Sequence, residues 1–329
     1  MLRDMMPAFE LYQPDTIENA LDLAKSLEDK YWFMAGGYDS LDWFKDRAKR
    51  PTAVIDIGGI QSLKGIRETA DGLEIGALTT LSEIESDSRV QTKYTLLASA
   101  ARHVASPQIR NGGTIGGNLC QDARCWYYRS GLNCYRAGGN SCYADTPQGQ
   151  NREHTLYGAN RCVAVSPSDT GTACVALDAH MVIRGESGER VVPVEQFFIG
   201  PAIDITQMTS LKRGEILTAI RIPKEWSGAK FYFEKVTDRG TWDFALVSIA
   251  AAMILEGNVI KKIRLACGSV ECVPKRLKAV EETVTGSPKN EDTALLAGKT
   301  AVQGATPLNF NHFKIPLMEN LVRRAIRDA

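Results

Sequence analysis

Apolar positions along this chain recur with a period that switches between helical and alternating. Over 15–29, DTIENALDLAKSLED, the residues Ile17, Ala20, Leu21, Leu23, Ala24 and Leu27 share one broad face. That spacing predicts an amphipathic helix capped by Asp15 or Thr16. YWFMAGGYDSLDWF follows as a short apolar run, a glycine pair and a second helical pattern. PTAVIDIGGI (51–60) predicts a buried strand closed by a turn, and GLEIGALTTLSEIESD (72–87) a strand and then a capped helix. KYTLLASAARHVASPQIR (93–110) is helical up to a break at Pro107, because proline lacks the N–H and turns its predecessor away from helix.

The pattern then lapses. Asp122 to Asn160 has almost no aliphatic periodicity and is rich in Gly, Asn, Cys, Tyr and Arg. A loop of that length inside a compact domain needs a function or an internal staple. Periodicity returns with CVAVSPSDTGTACVALDAHMVIRG, read as strand, turn, helix, strand, and EILTAIRIPKEW (215–226) is a strand ending at Pro223. Beyond it, KFYFEKV and ALVSIAAAMILEGNVIKKIRLACGSV alternate, and polar helices run to the C-terminus. Strands followed by helices predict a separate α+β domain with its boundary near 225.

Composition narrows the class. The chain has 329 residues, room for two or three cored domains. Lys plus Arg balances Asp plus Glu at 39 each, so nothing favours nucleic acid or an anionic membrane as partner. No run of 18 apolar residues predicts a membrane span, and the start, MLRDMMPAFELYQPDT, lacks the apolar core of a signal peptide. The expected compartment is the cytoplasm, or the periplasm if a partner carries the folded chain out. Five of the eight cysteines fall between 120 and 162. In a reducing compartment such clustering points to metal or redox chemistry.

Two glycine-paired loops precede or enter that segment: Ala35-Gly36-Gly37-Tyr38-Asp39-Ser40 and Gly112-Gly113-Thr114-Ile115-Gly116-Gly117-Asn118. Glycine lets a backbone approach a ligand closely, and successive N–H groups can cradle an anion. Thr114 spoils a G-x-G-x-x-G fingerprint and Asn118 stands where a P-loop has lysine, so tight turns and ligand loops both remain open readings. The cysteines run Cys125-x8-Cys134-x7-Cys142-x19-Cys162, with Cys120 five residues ahead. Zinc sites bring thiolates in paired C-x2-4-C knuckles. The wide, uneven spacing suits a [4Fe–4S] cluster, while zinc and buried free thiols remain alternatives, the last fitting Cys174, Cys267 and Cys272 best. His103, His154, His180 and His312 show no triad or ligand spacing and read as structural.

PQIRNGGTIGGN, preceded by AGGYDS and followed by SPSD (166–169), resembles the FAD-binding subunit of the molybdenum hydroxylases, as does FEKVTDRGTWDFALVSIAAAM. The likeness runs from PAFELYQPDTIENAL to the C-terminal helices. It implies an α+β chain: an FAD-binding fold of two subdomains (1–60 and 61–224, with an insert at about 120–162) and a C-terminal α+β domain over 225–329. Within the family, CWYYRSGLNCYRAGGNSCYA with the later Cys162 is similar to the subgroup of 4-hydroxybenzoyl-CoA reductase and bacterial aldehyde oxidoreductases, whose flavin subunits carry a [4Fe–4S] cluster. Cys125, Cys134, Cys142 and Cys162 are its implied ligands, and Cys120, at a position often aliphatic in relatives, is implied to pack.

By the same resemblance Ala35, Gly36, Gly37, Tyr38, Asp39 and Ser40 hold the FAD pyrophosphate. Thr114, Gly116, Gly117 and Asn118 contact the flavin and its linker. Asp169 accepts from ribityl hydroxyls, where the residues alone suggest a helix cap. Leu217 packs near the flavin, against a plain core leucine, and Lys235 approaches the isoalloxazine edge, against a solvated lysine. Tyr38 and Ser166 stand where relatives often carry Thr or Ser and His. The implied function is an electron-transfer subunit, working with a molybdenum-cofactor large subunit and a small subunit with [2Fe–2S] clusters, and with an external acceptor or donor. Aldehyde, aromatic acyl-CoA or purine-like substrates belong to the partner. A zinc-stapled scaffold subunit and a stand-alone FAD-dependent reductase are the alternatives.

Overall fold

A computed structural model describes residues 5–329. Residues 1–4, part of the start read above for a leader, lie outside it. The N-terminal segment holds β1 (Glu10–Tyr12), α1 (Ile17–Ser26), β2 (Tyr31–Met34), α2 (Ser40–Lys45) and β3 (Ala53–Asp56). The strands form a parallel sheet in the order β1-β3-β2. Thr16 caps α1, its hydroxyl accepting from the Asn19 N–H. Ala20 and Ala24 of that helix pack with Ile55, Ile57 and Ile60, as the apolar face predicts.

The next stretch contains β4 (Ile66–Thr69), β5 (Gly72–Gly76), α3 (Leu81–Ser86), α4 (Ser88–Lys93), α5 (Thr95–Arg102), α6 (Pro107–Arg110), α7 (Ile115–Leu119), α8 (Trp126–Arg129), α9 (Asp169–Ala176), β6 (His180–Gly185), β7 (Gly188–Pro193), α10 (Val194–Phe197) and β8 (Ile216–Pro223). Its antiparallel sheet runs β4-β5-β8-β6-β7. Two expectations fail here. The helix before Pro107 stops at Arg102, and Pro107 opens α6 with Ser106 as cap. Proline is well placed there, since the first turn of a helix has no acceptor for its missing N–H. Nor is Cys162–Val165 a strand: it makes one bridge, Arg124 with Val165.

The last segment builds β9 (Lys230–Val236), β10 (Val247–Glu256), β11 (Val259–Gly268), β12 (Lys275–Arg276), α11 (Lys278–Val284), α12 (Glu291–Ala301) and α13 (Lys314–Asp328). Its antiparallel sheet, β12-β11-β10-β9, buries one face under α12 and α13. The opposite face, with Ala250, Ala252 and Ala266, joins the core of the middle segment. Small alanines let α9 lie close against β10 and β11. This mixed architecture agrees with the α+β class expected from sequence.

The cysteine segment carries little regular structure: α8 and a turn of 3-10 helix at Tyr135–Ala137. Its core is apolar, with Ala123, Tyr128 and Ala164 packed on Trp43 and Phe44 of α2 and Val54 of β3. The insert is thus seated on the N-terminal sheet.

Local order next to the glycine loop depends on one cap. Thr80 and Glu83 form a reciprocal capping box at α3. Thr80→Ala is expected to lower stability by about 1 kcal/mol, read as a lower urea midpoint, while Thr80→Ser stays near wild type. Equal midpoints for wild type and Thr80→Ala would remove the cap from the account.

Candidate functional site

The two glycine loops meet. A Cβ built on Gly36 would lie 2.2 Å from the Gly112 carbonyl oxygen, and one on Gly112 would lie 2.8 Å from the Tyr38 ring. Only glycine permits this approach, and Gly37 also takes a positive φ of 78°. The loops form one wall of a cleft of about 490 Å³ that runs past β8 to β9. Ala35 to Ser40 line it, as do Thr114, Gly116, Gly117, Asn118, Asp169, Leu217 and Lys235. The cleft therefore gathers all thirteen residues expected at the cofactor.

They differ in what they can offer. Among the described residues, the N–H groups of Ala35 to Asp39 have no protein acceptor. They are open donors, the arrangement that receives an anion. In the second loop the donors are used internally: Ile115 N–H to Thr79 O, Gly116 N–H to Ala77 O, and Gly117 N–H to the Thr114 hydroxyl that caps α7. The Asn118 side-chain oxygen accepts from the Ser168 and Thr170 hydroxyls at 2.8 and 2.6 Å, tying α7 to α9. Ser40 Oγ accepts from the Trp32 indole, and the Asp39 carboxylate from Trp43 and Arg129.

Three expectations about single residues are corrected. Lys235 is not solvated: its ammonium is buried and donates to Asp169 Oδ2 at 2.6 Å and to His103 O at 2.8 Å. Asp169 does not cap α9, since the Ser168 hydroxyl does so, accepting from Gly171 N–H at 2.9 Å. Burial pushes the Asp169 carboxyl above its ordinary value, outweighing the Lys235 charge. Leu217 is buried and still reaches the cleft. Cys120 is not packed in a core either. Its side chain faces the cleft and is exposed there.

Sequence reasoning missed four residues. Asp122 and Arg129 line the cleft and belong to the cysteine segment. Trp242, exposed and at positive φ, reaches the cleft from the loop after β9. His154 is fully buried beside Cys125. A histidine between the third and fourth cysteines was a usable signal; the other three had none.

Asp122 is a hub. It receives Arg136 at 2.6 Å, Lys49 at 3.0 Å and the Tyr128 hydroxyl at 3.0 Å, and caps the Ala123 N–H. Burial disfavours its charge, but Arg136 and Lys49 prevail and hold the carboxyl down at about 2. Behind it, Cys125, Cys134, Cys142 and Cys162 line one void of about 10 Å³. None is in a disulfide, and all but Cys142 are buried. Burial pushes the Cys125 thiol up to about 12, against the Tyr128 and Tyr127 N–H groups that favour the thiolate. Burial likewise raises Cys162. His154 Nε2 lies 3.3 Å from Cys125 Sγ. Burial first, then the Lys314 and Arg124 charges, push the imidazole down to about 4, so it is neutral at pH 7. Among the described residues no group of three or more His, Cys, Asp or Glu is close enough to hold a single metal ion.

A cleft of this size with an open row of backbone donors defines a binding site for an extended, phosphate-bearing cofactor. The chain belongs to the family described as the FAD binding domain in molybdopterin dehydrogenase, which matches residues 7–225. Residues 231–329 match the CO dehydrogenase flavoprotein C-terminal domain. The chain is 32% identical to the aldehyde oxidoreductase FAD-binding subunit PaoB of Escherichia coli, over 90% of this chain and 91% of that one. It is 28% identical to the carbon monoxide dehydrogenase medium chain of Hydrogenophaga pseudoflava, over 98% and 97%. The solved carbon monoxide dehydrogenase of the same organism superposes with a TM-score of 0.79 at 28% identity, covering 98% of this chain and 97% of that one.

The residues fit FAD: the open Ala35–Asp39 donors suit a pyrophosphate, and the apolar wall with Leu217 suits a flat ring. Gly36→Ala must part the two loops, because the obstacle is backbone on both sides. It is expected to lower FAD per purified chain at least tenfold, read from visible absorbance. Gly200→Ala, with nothing within 4 Å of the new methyl group, keeps the wild-type ratio. Full flavin in Gly36→Ala would show that the loop contact does not shape the site.

Proposed function

We propose that this chain is the electron-transfer subunit of a molybdenum-cofactor oxidoreductase complex, with FAD in the cleft and a [4Fe–4S] cluster at Cys125, Cys134, Cys142 and Cys162. Its partners are a large subunit with the molybdenum cofactor and a small subunit with [2Fe–2S] clusters. The relatives support an assembly, being described as medium chains and FAD-binding subunits. The substrate, an aldehyde, an aromatic acyl-CoA or a purine-like ring, is handled by the large subunit. Three units divide the work: 1–60 and 61–224 for the flavin, with the insert at about 120–162, and 225–329 as the C-terminal domain.

In this reading the N–H groups of Ala35 to Asp39 receive the pyrophosphate, and Leu217 packs on the flavin. Thr114, Gly116, Gly117 and Asn118 shape the wall beside its linker, Ser40 and Tyr38 edge the phosphates, and Asp169 meets the ribityl chain with Lys235 holding its orientation. Bound FAD supplies exchange of electrons singly or in pairs with an external acceptor or donor. The observation that carries the two-centre reading is the shared wall. Asp122 and Arg129 line the cleft, and Asp122 also anchors Tyr128 and Arg136, which line the void between the cysteines.

The donor set suits a cluster: four unpaired thiols face one void. A single ion asks for sulfurs about 2.3 Å from one point, whereas a cube spreads its ligands. Burial raises the Cys125 and Cys162 thiols, and a metal that binds them displaces their protons.

Anaerobic purification with assay of flavin, iron and acid-labile sulfide tests the proposal. It predicts FAD together with iron and sulfide in the equal ratio of a cube. Cys134→Ser is expected to lose most of the iron and keep FAD. A wild-type chain that binds FAD and can be loaded with no iron would end the cluster reading and leave the flavin reading standing.

A further inference from the structure

Lys314, the first residue of α13, is fully buried. Its ammonium donates to the carbonyl oxygens of His154 at 2.9 Å and Ser269 at 2.8 Å. Among the described residues no carboxylate pairs with it. Glu153, whose charge acts on it, is already bonded to Arg124 at 2.6 Å. Held only by carbonyl dipoles, the ammonium lacks a counter-charge, and burial pushes it down to about 7.

The anchor it grips leads to the cysteines. Lys314 and Asn311 both hold the His154 carbonyl, so the backbone there is fixed. From that fixed point the His154 side chain places Nε2 3.3 Å from Cys125 Sγ. The other ring nitrogen, Nδ1, is buried with no partner. A ring with one committed contact and one orphan nitrogen directs its chemistry at the sulfur. Once Cys125 gives up its proton to become a ligand, its sulfur can only accept, and Nε2 must be the donor.

We propose that Lys314 and His154 are positioning residues that set the reduction potential of an anionic iron–thiolate centre at Cys125: Lys314 supplies its buried counter-charge, and His154 donates an N–H to the Cys125 sulfur. The inference rests on the cluster reading above. One electron entering such a centre adds one negative charge. An anion loaded nearby draws Lys314 to its charged form, and that cation and a sulfur-directed donor both stabilise the reduced form, since hydrogen bonds to sulfur and net charge are recognised controls of cluster potential.

The test uses the full chain purified without oxygen, titrated with dithionite and followed by EPR. Iron and sulfide contents are measured on each sample, and the flavin midpoint is the internal reference. Lys314→Met is expected to lower the reduced-to-oxidised ratio of the cluster at fixed potential at least tenfold, a shift of about 59 mV to lower potential for one electron. Lys314→Arg restores most of that ratio. His154→Phe keeps the ring volume and the total charge, and sacrifices only the Nε2 contact because Nδ1 has no partner. It is expected to shift the midpoint in the same direction by a smaller factor, with the flavin unmoved. Should Lys314→Met not fold, His154→Phe carries the test alone.

Full iron content with an unmoved cluster midpoint in the folded variants overturns the inference and leaves the cluster reading intact. A wild-type chain with FAD and no loadable iron overturns both.

Discussion

One largely buried carboxylate organises this molecule. Asp122 stands where the cleft wall becomes the cysteine segment, and it is ionised only because Arg136 and Lys49 outweigh the cost of burying its charge. The partners need it in return: Arg136 is almost fully buried, and a guanidinium there without its carboxylate is an uncompensated charge. Lys49 also lies over the rings of Trp32, Trp43 and Tyr128, so the ionic contact is insulated by an aromatic box. A long irregular segment gains through this group what it lacks in helices and strands. It is fastened to α2 and β3 while its two sides face different sites.

Around that fixed point the sheets have separable duties. The parallel N-terminal sheet delivers the Ala35–Asp39 turn at the end of β2. The antiparallel sheet supplies the floor through β8 and, through α9, presents Asp169. β9 contributes Lys235 from the following segment, and the Asp169–Lys235 ion pair therefore bridges the two halves at the cleft. A cofactor bound here touches every unit of the chain, so binding adds stability to the assembled form in proportion to its affinity.

Much of this was legible in the residues. Apolar period gave α1, β3, β5, α3, β8 and the β10–β11 hairpin, because each buries one face against a single neighbour. The glycine pairs marked the cleft, since backbone contact leaves glycine as the sole solution. Three kinds of feature escaped. Pro107 was read as a stop when it is a start, because proline suits both the end of one helix and the first turn of the next. Lys235 was read as solvated, since its pairing with Asp169 spans 66 residues and leaves no local trace. Asp122 lay hidden for the same reason, being defined by Lys49 far upstream and Arg136 within an irregular loop. The cysteines were visible as a cluster. That His154 sits against Cys125 with Lys314 behind it involves α13, about 150 residues beyond the last of them.

Asp122 joins the wall of the cleft to the cysteine segment. The most direct measurement of that link is the FAD, iron and sulfide content of the Asp122→Asn chain, purified without oxygen beside wild type and compared per folded molecule. Coupling predicts that flavin and iron fall together, unlike the loss of iron alone at a single cysteine. An Asp122→Asn chain that carries both in wild-type amounts would contradict it.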